Sequence, residues 1–190
     1  MSSILLIPPA AEPLSLADAK AYLRVAHADD DGLIAALIAS ARAHVEAQTR
    51  RALITQTWRH VRDAWPADGR IAVLPAPLQS LAAARVYDAE GDTQAIDLQA
   101  FVVDAVSAPG VLSFPLWSAP APGRTTAGIE LDIVVGYGDA ATDVPEPLRL
   151  AIRQLVAHWY ENRGVTAGGG AAPLPVTVAE LIAPYRVLSL

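Results

Sequence analysis

The stretch that decides the fold of this chain is LSLADAKAYLRVAHADDDGLIAALIASARAHVEAQTRRAL, residues 14–53. Its hydrophobic spacing predicts a short helix, a tight acidic turn and a long helix. Ser15 stands where a side-chain cap is expected, and Asp18 follows three residues later in the position of a capping box. The long helix carries one apolar stripe, made of Leu33, Ile34, Leu37, Ile38, Ala41 and Val45.

Three consecutive aspartates, Asp29–Asp31, lie between the two predicted helices. Carboxylates stabilise the start of a helix, because they accept hydrogen bonds from its free N–H groups and complement its dipole. Carboxylates also bind hard cations, but this triad lacks the alternating ligand spacing and the closing glutamate of a calcium loop. We therefore expect the aspartates to cap the long helix.

The two predicted helices cannot bury their apolar stripes alone, and the chain offers a further long helix only near its far end. Residues 145–163 show helical periodicity again, with Asp143 as the expected cap and Pro145 in the first turn. Their apolar face consists of Leu148, Ile152, Leu155, Val156 and Trp159. We therefore predict that residues 1–53 and 145–190 form one small helical bundle.

The residues between these helices have the period-two alternation and the turn residues of an antiparallel sheet or a small sandwich. The predicted strands cover residues 54–65, 70–74, 81–87, 94–98, 101–106, 111–114 and 129–137. The predicted fold class is therefore α+β: a helical bundle that carries residues 54–144 as an inserted antiparallel β domain.

The charge of the chain is concentrated in its middle third. The 190 residues carry a net charge of −6, and residues 54–144 contain 5 basic and 11 acidic residues. A protein that wraps nucleic acid neutralises phosphates with a basic surface, so this composition argues against that role. The chain has no cysteine, which excludes disulfides and cysteine–zinc sites. Because its N-terminus lacks the features of a signal peptide, we expect a soluble cytoplasmic protein without a membrane span.

No motif in the sequence points to catalysis, a cofactor or a metal. The four histidines, His27, His44, His60 and His158, lack the spacing of zinc ligands. The run Gly168–Gly170 lacks the strand, lysine and helix of a phosphate-binding loop, so we interpret it as a flexible linker. The four tryptophans could line a ligand site, but such residues more often anchor a core or an interface. We therefore predict no catalytic residue, no cofactor and no metal.

Three segments of the sequence resemble the phage head–tail connector (adaptor) family, which occurs in tailed phages, prophages and gene transfer agents. The first runs from LSLADAKAYLRV through DDDGLIAALIASARAHVEAQTRRAL to QTW, within the first 58 residues. The other two are VPEPLRLAIRQLVAHWYENR, which is similar to the third helix of the family, and LPVTVAELIAPYR, which is similar to its C-terminal motif. The middle of the chain resembles only the longer members that carry a β insertion.

The resemblance implies a structural protein rather than an enzyme. Adaptors of this kind form a ring, usually of twelve copies, that docks beneath the portal protein at the capsid vertex. A stopper or tail connector attaches below the ring, and DNA passes through the central channel without sequence-specific binding. The expected location is therefore the head–tail junction of a virion or phage-like particle that is made in the bacterial cytoplasm.

The apolar segment after the glycine run is the candidate for contact with the portal. We hypothesise that Leu174–Leu190 extends from the body and docks on the portal, and the alternative is that it folds back on its own bundle. The candidate portal residues are Leu174, Val176, Val178, Leu181, Ile182, Pro184, Tyr185, Arg186, Val187 and Leu188.

Contacts between copies in the ring are expected on the faces of the helices at 30–52 and 145–163 that the intrachain core leaves free. The candidate residues for this interface are Arg42, Arg50, Arg51, Arg149 and Arg153. The acidic middle of the chain could line the channel, where negative charge eases the passage of DNA, or it could face the outer solvent.

Two other classes of function stay open from the sequence. One is a small enzyme whose site lies in the β insertion, and the other is a generic protein-binding module. A deep pocket with converging polar side chains would favour the enzyme.

Overall fold

The computed structural model describes residues 2–162 and 175–188. The glycine run at 168–170 therefore lies outside the described residues. The described chain forms helices and antiparallel sheets, which confirms the predicted α+β class. It divides into two compact units: a β unit of residues 2–9, 55–137 and 187–188, and a helical unit of residues 10–54, 138–162 and 175–186.

The helical unit is built from four α-helices: α1 (Leu16–Leu23), α2 (Asp31–Thr49), α3 (Glu146–Glu161) and α4 (Val176–Ile182). The long helices α2 and α3 pack together, and the shorter α1 and α4 each contact both of them. Within the described ranges, no helix is both long enough and apolar enough to cross a membrane.

The core of the helical unit follows the predicted stripes closely. The residues of α2 and α3 that are at most 2% exposed include Ile34, Ile38, Ala41, Val45, Leu148, Ile152, Leu155 and Val156. Three members of the predicted stripes are not buried: Leu33 is 38% exposed, and Leu37 and Trp159 are half-buried. Each fully buried large apolar side chain contributes about 1.5–3 kcal/mol, so burial of the two stripes stabilises this unit.

The starts of α1 and α3 differ in how they are capped. Ser15 caps α1 as predicted, since its Oγ accepts a hydrogen bond from the Asp18 N–H at 3.0 Å. Asp143 does not cap α3, which begins after Pro145 without a side-chain cap. Instead the Asp143 carboxylate accepts the Ala140 N–H at 2.9 Å in the preceding turn.

The aspartates lie at the start of α2, with Asp30 at the N-cap position and Asp31 in the first turn, so the predicted negative charge is present at this end of the helix. The predicted side-chain cap is wrong. Asp30 makes no side-chain hydrogen bond to the start of α2, and its carboxylate accepts the hydroxyl of Tyr160 in α3. Asp31 pairs with Lys20 of α1. The carboxylates of Asp30 and Asp31 therefore bond to side chains of α3 and α1. These contacts link the start of α2 to both neighbouring helices.

The β unit contains eight strands: β1 (Ser2–Ile7), β2 (Gln56–Arg62), β3 (Arg70–Val73), β4 (Leu78–Tyr87), β5 (Thr93–Ala95), β6 (Val102–Asp104), β7 (Gly110–Ser113) and β8 (Ile129–Val135). Five of them form an antiparallel sheet in the order β1-β2-β8-β4-β5, and three form a second sheet in the order β3-β7-β6. The central strand β8 buries Ile129, Leu131 and Ile133 completely on one face.

The first strand departs from the predicted domain boundaries. The sequence assigns residues 1–53 to the helical part, but β1 pairs with β2 from Ser2↔Val61 to Ile7↔Thr57. A run of apolar residues that includes two isoleucines suits a sheet. At the far end of the β unit, residues 138–144 belong to the helical unit. The interpretation of the β residues as an insertion stays a prediction.

Candidate assembly surfaces

The segment expected to dock on the portal folds back on the helical unit. Its helix α4 packs against α3, and Val178 and Ile182 are each 2% exposed. Thr177 Oγ1 donates a hydrogen bond to Gln154 Oε1 of α3 at 2.8 Å. The expectation that the segment extends from the body is therefore wrong for residues 175–186, because Val178 and Ile182 are buried against the helical unit.

The remaining portal candidates differ in exposure. Val176 and Leu188 are 73% and 87% exposed. Pro184 and Arg186 are exposed, Leu181 and Tyr185 are half-buried, and Val187 is buried. Leu174 lies outside the described residues. A partner can therefore reach four of the ten candidates without displacing α4.

An open, largely apolar groove lies between α2 and α4. Its volume is about 290 Å³, and its lining residues include His44, Gln48, Val176, Ala179, Ile182 and Arg186. Arg186 Nη2 donates to Gln48 Oε1 at 3.3 Å. A groove that is lined in this way suits an apolar protein segment better than a polar small molecule.

Two of the five arginines proposed for the ring interface are occupied inside the chain. Arg42 pairs with Glu12 at 2.8 Å and with Glu46 at 2.7 Å. Arg51 Nε donates to the backbone carbonyl of Tyr185 at 2.6 Å, which fastens the end of the folded-back segment. These two side chains stabilise the helical unit itself.

Of the other three candidate arginines, Arg50 is exposed, whereas Arg149 and Arg153 are half-buried. Arg50 is exposed at the C-terminal cap of α2, in a left-handed conformation with φ of 56°. Arg149 and Arg153 of α3 both pair with Glu146, whose side chain is 58% exposed. The hydrogen bond from Arg153 holds the pKa of Glu146 below its usual value. The start of α3 thus presents alternating charges that a neighbouring chain can contact.

A network of four charges crosses one face of the five-stranded sheet. Arg59 of β2 donates two hydrogen bonds to Asp132 of β8, at 2.7 and 3.0 Å, and lies 3.2 Å from Glu130. Arg85 of β4 pairs with the same two carboxylates. The bonds to Asp132 outweigh desolvation and raise the pKa of Arg59. Because two positive charges balance two negative ones, the network leaves no net charge for a ligand, and removal of one partner would leave a charge uncompensated in the sheet.

The β unit exposes two groups of large apolar residues that the sequence analysis missed. The first is β1, with Ile4, Leu5, Leu6 and Ile7 between 39% and 60% exposed. The second consists of Leu98, Val102, Val106, Leu116 and Trp117, which are between 36% and 97% exposed. The exposure of the first group could have been predicted from the sequence, because four consecutive apolar residues cannot all face the core from a single strand.

The acidic residues of the middle third separate into a neutralised and an exposed set. Glu130 and Asp132 are paired with arginines, whereas Asp88, Glu90 and Asp92 are exposed in the turn between β4 and β5. This acidic turn is a surface that repels phosphate.

Within residues 2–162 and 175–188, no three His, Asp or Glu side chains are placed to hold a metal ion. His60 is fully buried, and its Nε2 lies 2.6 Å from the Leu74 carbonyl oxygen. Burial lowers the pKa of His60 below its usual value of 6.5, because the charged imidazolium is desolvated.

Residues 13–99 match the model of the phage gp6-like head-tail connector protein family. This match confirms the resemblance to the phage head–tail connector family. The matched range begins just before α1 and covers α2 and the strands β2 to β5. Among curated proteins, no significant relative was found.

Solved structures share the fold of the entire chain. A chain in the neck of an empty gene transfer agent (GTA) particle, computed with C6 symmetry, has 24% identity and a TM-score of 0.83, with 100% of this chain and 97% of that chain covered. Chains in a native GTA virion and in a native GTA neck computed with C12 symmetry have 23% identity, the same coverages and TM-scores of 0.83 and 0.82. The likeness is one of fold, and it extends over both units.

Proposed function

We propose that this chain is a structural head–tail connector of a phage or a gene transfer agent, located at the head–tail junction of the particle. One observation carries the proposal: a connector family model matches residues 13–99, and chains in GTA necks share the fold over the full length. The fold likeness includes α3 and α4, which lie beyond the range of the family model. The activity of such a protein is to bind its neighbours, not to transform a substrate.

The connector acts as a closed ring of copies. The similar folds occur in necks that were computed with C6 and C12 symmetry, which supports the twelve copies expected from the resemblance. Arg50, which is exposed, and the pairs that Arg149 and Arg153 form with the exposed Glu146 supply charged contacts to a neighbouring copy.

Residues 175–186 bind the portal while they stay folded on the helical unit. The exposed residues Val176, Pro184 and Arg186 supply contacts from this unit, and the exposed Leu188 supplies a contact from the β unit. The buried side chains of Val178 and Ile182 hold α4 against the rest of the helical unit. The portal therefore meets a preformed surface, which lowers the entropic cost of docking relative to a free tail.

DNA passes through the ring, and a stopper or tail connector attaches on the side away from the portal. A channel that lets DNA move does not hold phosphates with a dense set of lysines and arginines. The net charge of −6 and the exposed acidic turn at 88–92 are compatible with this requirement.

A binding experiment with the cognate portal tests the proposal. We expect the full chain to co-purify with the portal and to form rings in negative-stain micrographs. The double variant Val176→Asp and Leu188→Asp should weaken portal binding at least about tenfold, because both side chains are exposed and would meet an apolar partner surface. Tyr22→Asp, at an exposed position on α1, is the matched control and should bind like the original chain. Absence of binding by the original chain would overturn the proposed function.

A further inference from the structure

The described lining of the groove between α2 and α4 belongs entirely to the helical unit. Val176, Ala179 and Ile182 of α4 line it together with His44 and Gln48 of α2. The groove is open to solvent, whereas a pocket for a small molecule encloses about 70–90% of its ligand. A protein segment that leaves one of its faces in solvent is therefore the better fit.

Arg186 supplies a permanent positive charge to the lining of this groove. Its Nη2 donates a hydrogen bond to the neutral amide of Gln48 at 3.3 Å, and no carboxylate neutralises it within residues 2–162 and 175–188. A guanidinium presents five N–H groups in a fixed fork, so Arg186 keeps donors for a further acceptor. Several other arginines of the described chain do pair with carboxylates: Arg42, Arg59, Arg85, Arg149 and Arg153.

The position of this charge defines the chemistry of the occupant. Because the guanidinium of Arg186 borders an apolar groove, a complementary partner combines apolar side chains with an acidic group. A carboxylate binds the guanidinium fork through charge-assisted hydrogen bonds. A nucleic acid strand is a poor match, because it carries a charge at every phosphate and the described lining offers one permanent cation.

We propose that the groove between α2 and α4 binds a segment of the portal protein that carries apolar side chains and an aspartate or glutamate, whose carboxylate pairs with Arg186. This inference rests on the proposed connector function and adds the chemistry of the portal segment. Val176 and Arg186 line the groove and are also exposed residues of the proposed portal-binding surface, so the groove continues that surface. The apolar side chains of the segment pack against Val176 and Ala179 while its carboxylate reaches Arg186.

Carbodiimide cross-linking to the cognate portal tests the pairing. This reagent joins a carboxylate directly to an amine that contacts it, and the sole lysine of the chain, Lys20, lies on α1. Arg186→Lys therefore places a new amine in the groove. We expect mass spectrometry to find the introduced lysine joined to an aspartate or glutamate of the portal. Arg24→Lys, at the exposed C-terminal cap of α1, is the matched control and should give no product with the portal.

Binding measurements test whether the groove contributes affinity. Arg186→Glu should weaken portal binding at least about tenfold, because two carboxylates then face each other. Ala179→Trp, at an exposed position in the lining, should also weaken binding at least about tenfold, because it fills the groove without changing the charge. Arg24→Glu is the charge-matched control and should bind like the original chain. Circular dichroism checks that each variant keeps its helices.

Each result decides a separate point. If the original chain binds the portal but Arg186→Lys gives no product with it, or is joined to a second copy of the chain instead, the inference is overturned and the connector function stands. Unchanged portal affinity of both Arg186→Glu and Ala179→Trp overturns it as well. If the original chain does not bind the portal, the proposed function fails and this inference fails with it.

Discussion

At the scale of single residues, most of the strong charges of the β unit act within the chain. Arg59 stands opposite Asp132 in the register of β2 and β8, and Arg85 stands opposite Glu130 in that of β4 and β8. The composition of residues 54–144 indicates an acidic surface but does not reveal this pairing. Composition cannot reveal the pairing, because strand register depends on residues that are far apart in the chain.

Removal of one carboxylate from this network should destabilise the protein. We expect Asp132→Asn to lower the free energy of unfolding by about 2 kcal/mol. Breaking a buried ion pair costs 3–5 kcal/mol, and the two arginines reduce that cost because their side chains are 24% and 26% exposed. Urea unfolding measures the change. The exposed Asp139→Asn should stay within about 0.5 kcal/mol of the original chain, and equal losses in both variants would contradict the role of the network.

His60 should make the stability of the protein depend on pH. Since burial lowers its pKa in the folded state, the unfolded chain binds the proton more tightly. The contribution of neutral His60 is therefore complete above pH 6.5 and is lost as the pH falls below that value. The free energy of unfolding should decrease on acidification below that pH, with this one proton contributing a slope of up to about 1.4 kcal/mol per pH unit.

Comparison with a variant isolates the histidine from other titrating groups. His60→Gln retains a donor for the Leu74 carbonyl but cannot be protonated, so its unfolding free energy should fall less steeply over the same interval. Urea unfolding at several pH values measures both slopes. Parallel curves for the two proteins would show that His60 does not contribute to the pH dependence.

At the scale of elements, periodicity predicted the helices and their buried faces, which depend on local sequence. It did not predict the positions of elements that are fixed by contacts between distant parts of the chain. The apolar stripes at Ile34–Val45 and Leu148–Val156 were readable because helical burial repeats within one segment. The place of β1 beside β2 was not predicted, because pairing between residues that are fifty or more positions apart leaves no local signal. The same reason applies to α4, whose sequence is compatible with a free tail and with a docked helix.

The docked position of α4 leads to a test at two positions in one helix. Ile182→Ala should lower the free energy of unfolding by about 2–4 kcal/mol, because it removes a buried side chain and leaves a cavity. Val176→Ala, at a position 73% exposed, should change it by less than about 0.5 kcal/mol. Denaturant unfolding gives both values, and hydrogen exchange over residues 175–186 should rise only in the first variant. A similar small effect at both positions would mean that α4 is not packed in solution.

At the scale of the whole molecule, the chain consists of two units, and we propose that the β residues are an insertion into a helical bundle. The proposal is motivated by the strands that enter and leave the β unit. Gln56 at the start of β2 and Val135 at the end of β8 are Cα partners in adjacent antiparallel strands. Such partners lie about 5 Å apart, so a short linker can replace everything between them.

A shortened chain tests the insertion directly. Residues 10–54 and 138–186, joined by a short Gly-Ser linker, should form a helical protein that unfolds cooperatively, because the buried stripes of α2 and α3 lie entirely within these ranges. Circular dichroism during urea unfolding measures the helix content and the cooperativity. A gradual loss of signal without a transition would show that the helical unit needs the β unit in order to fold.

Cryo-electron microscopy of the neck of particles purified from cells that encode this chain tests the connector role most directly. We expect density for both units, repeated in a closed ring immediately beneath the portal and above the next tail component. Particles whose neck is complete without this chain, or a reconstruction that places the chain outside the head–tail junction, would contradict the assignment.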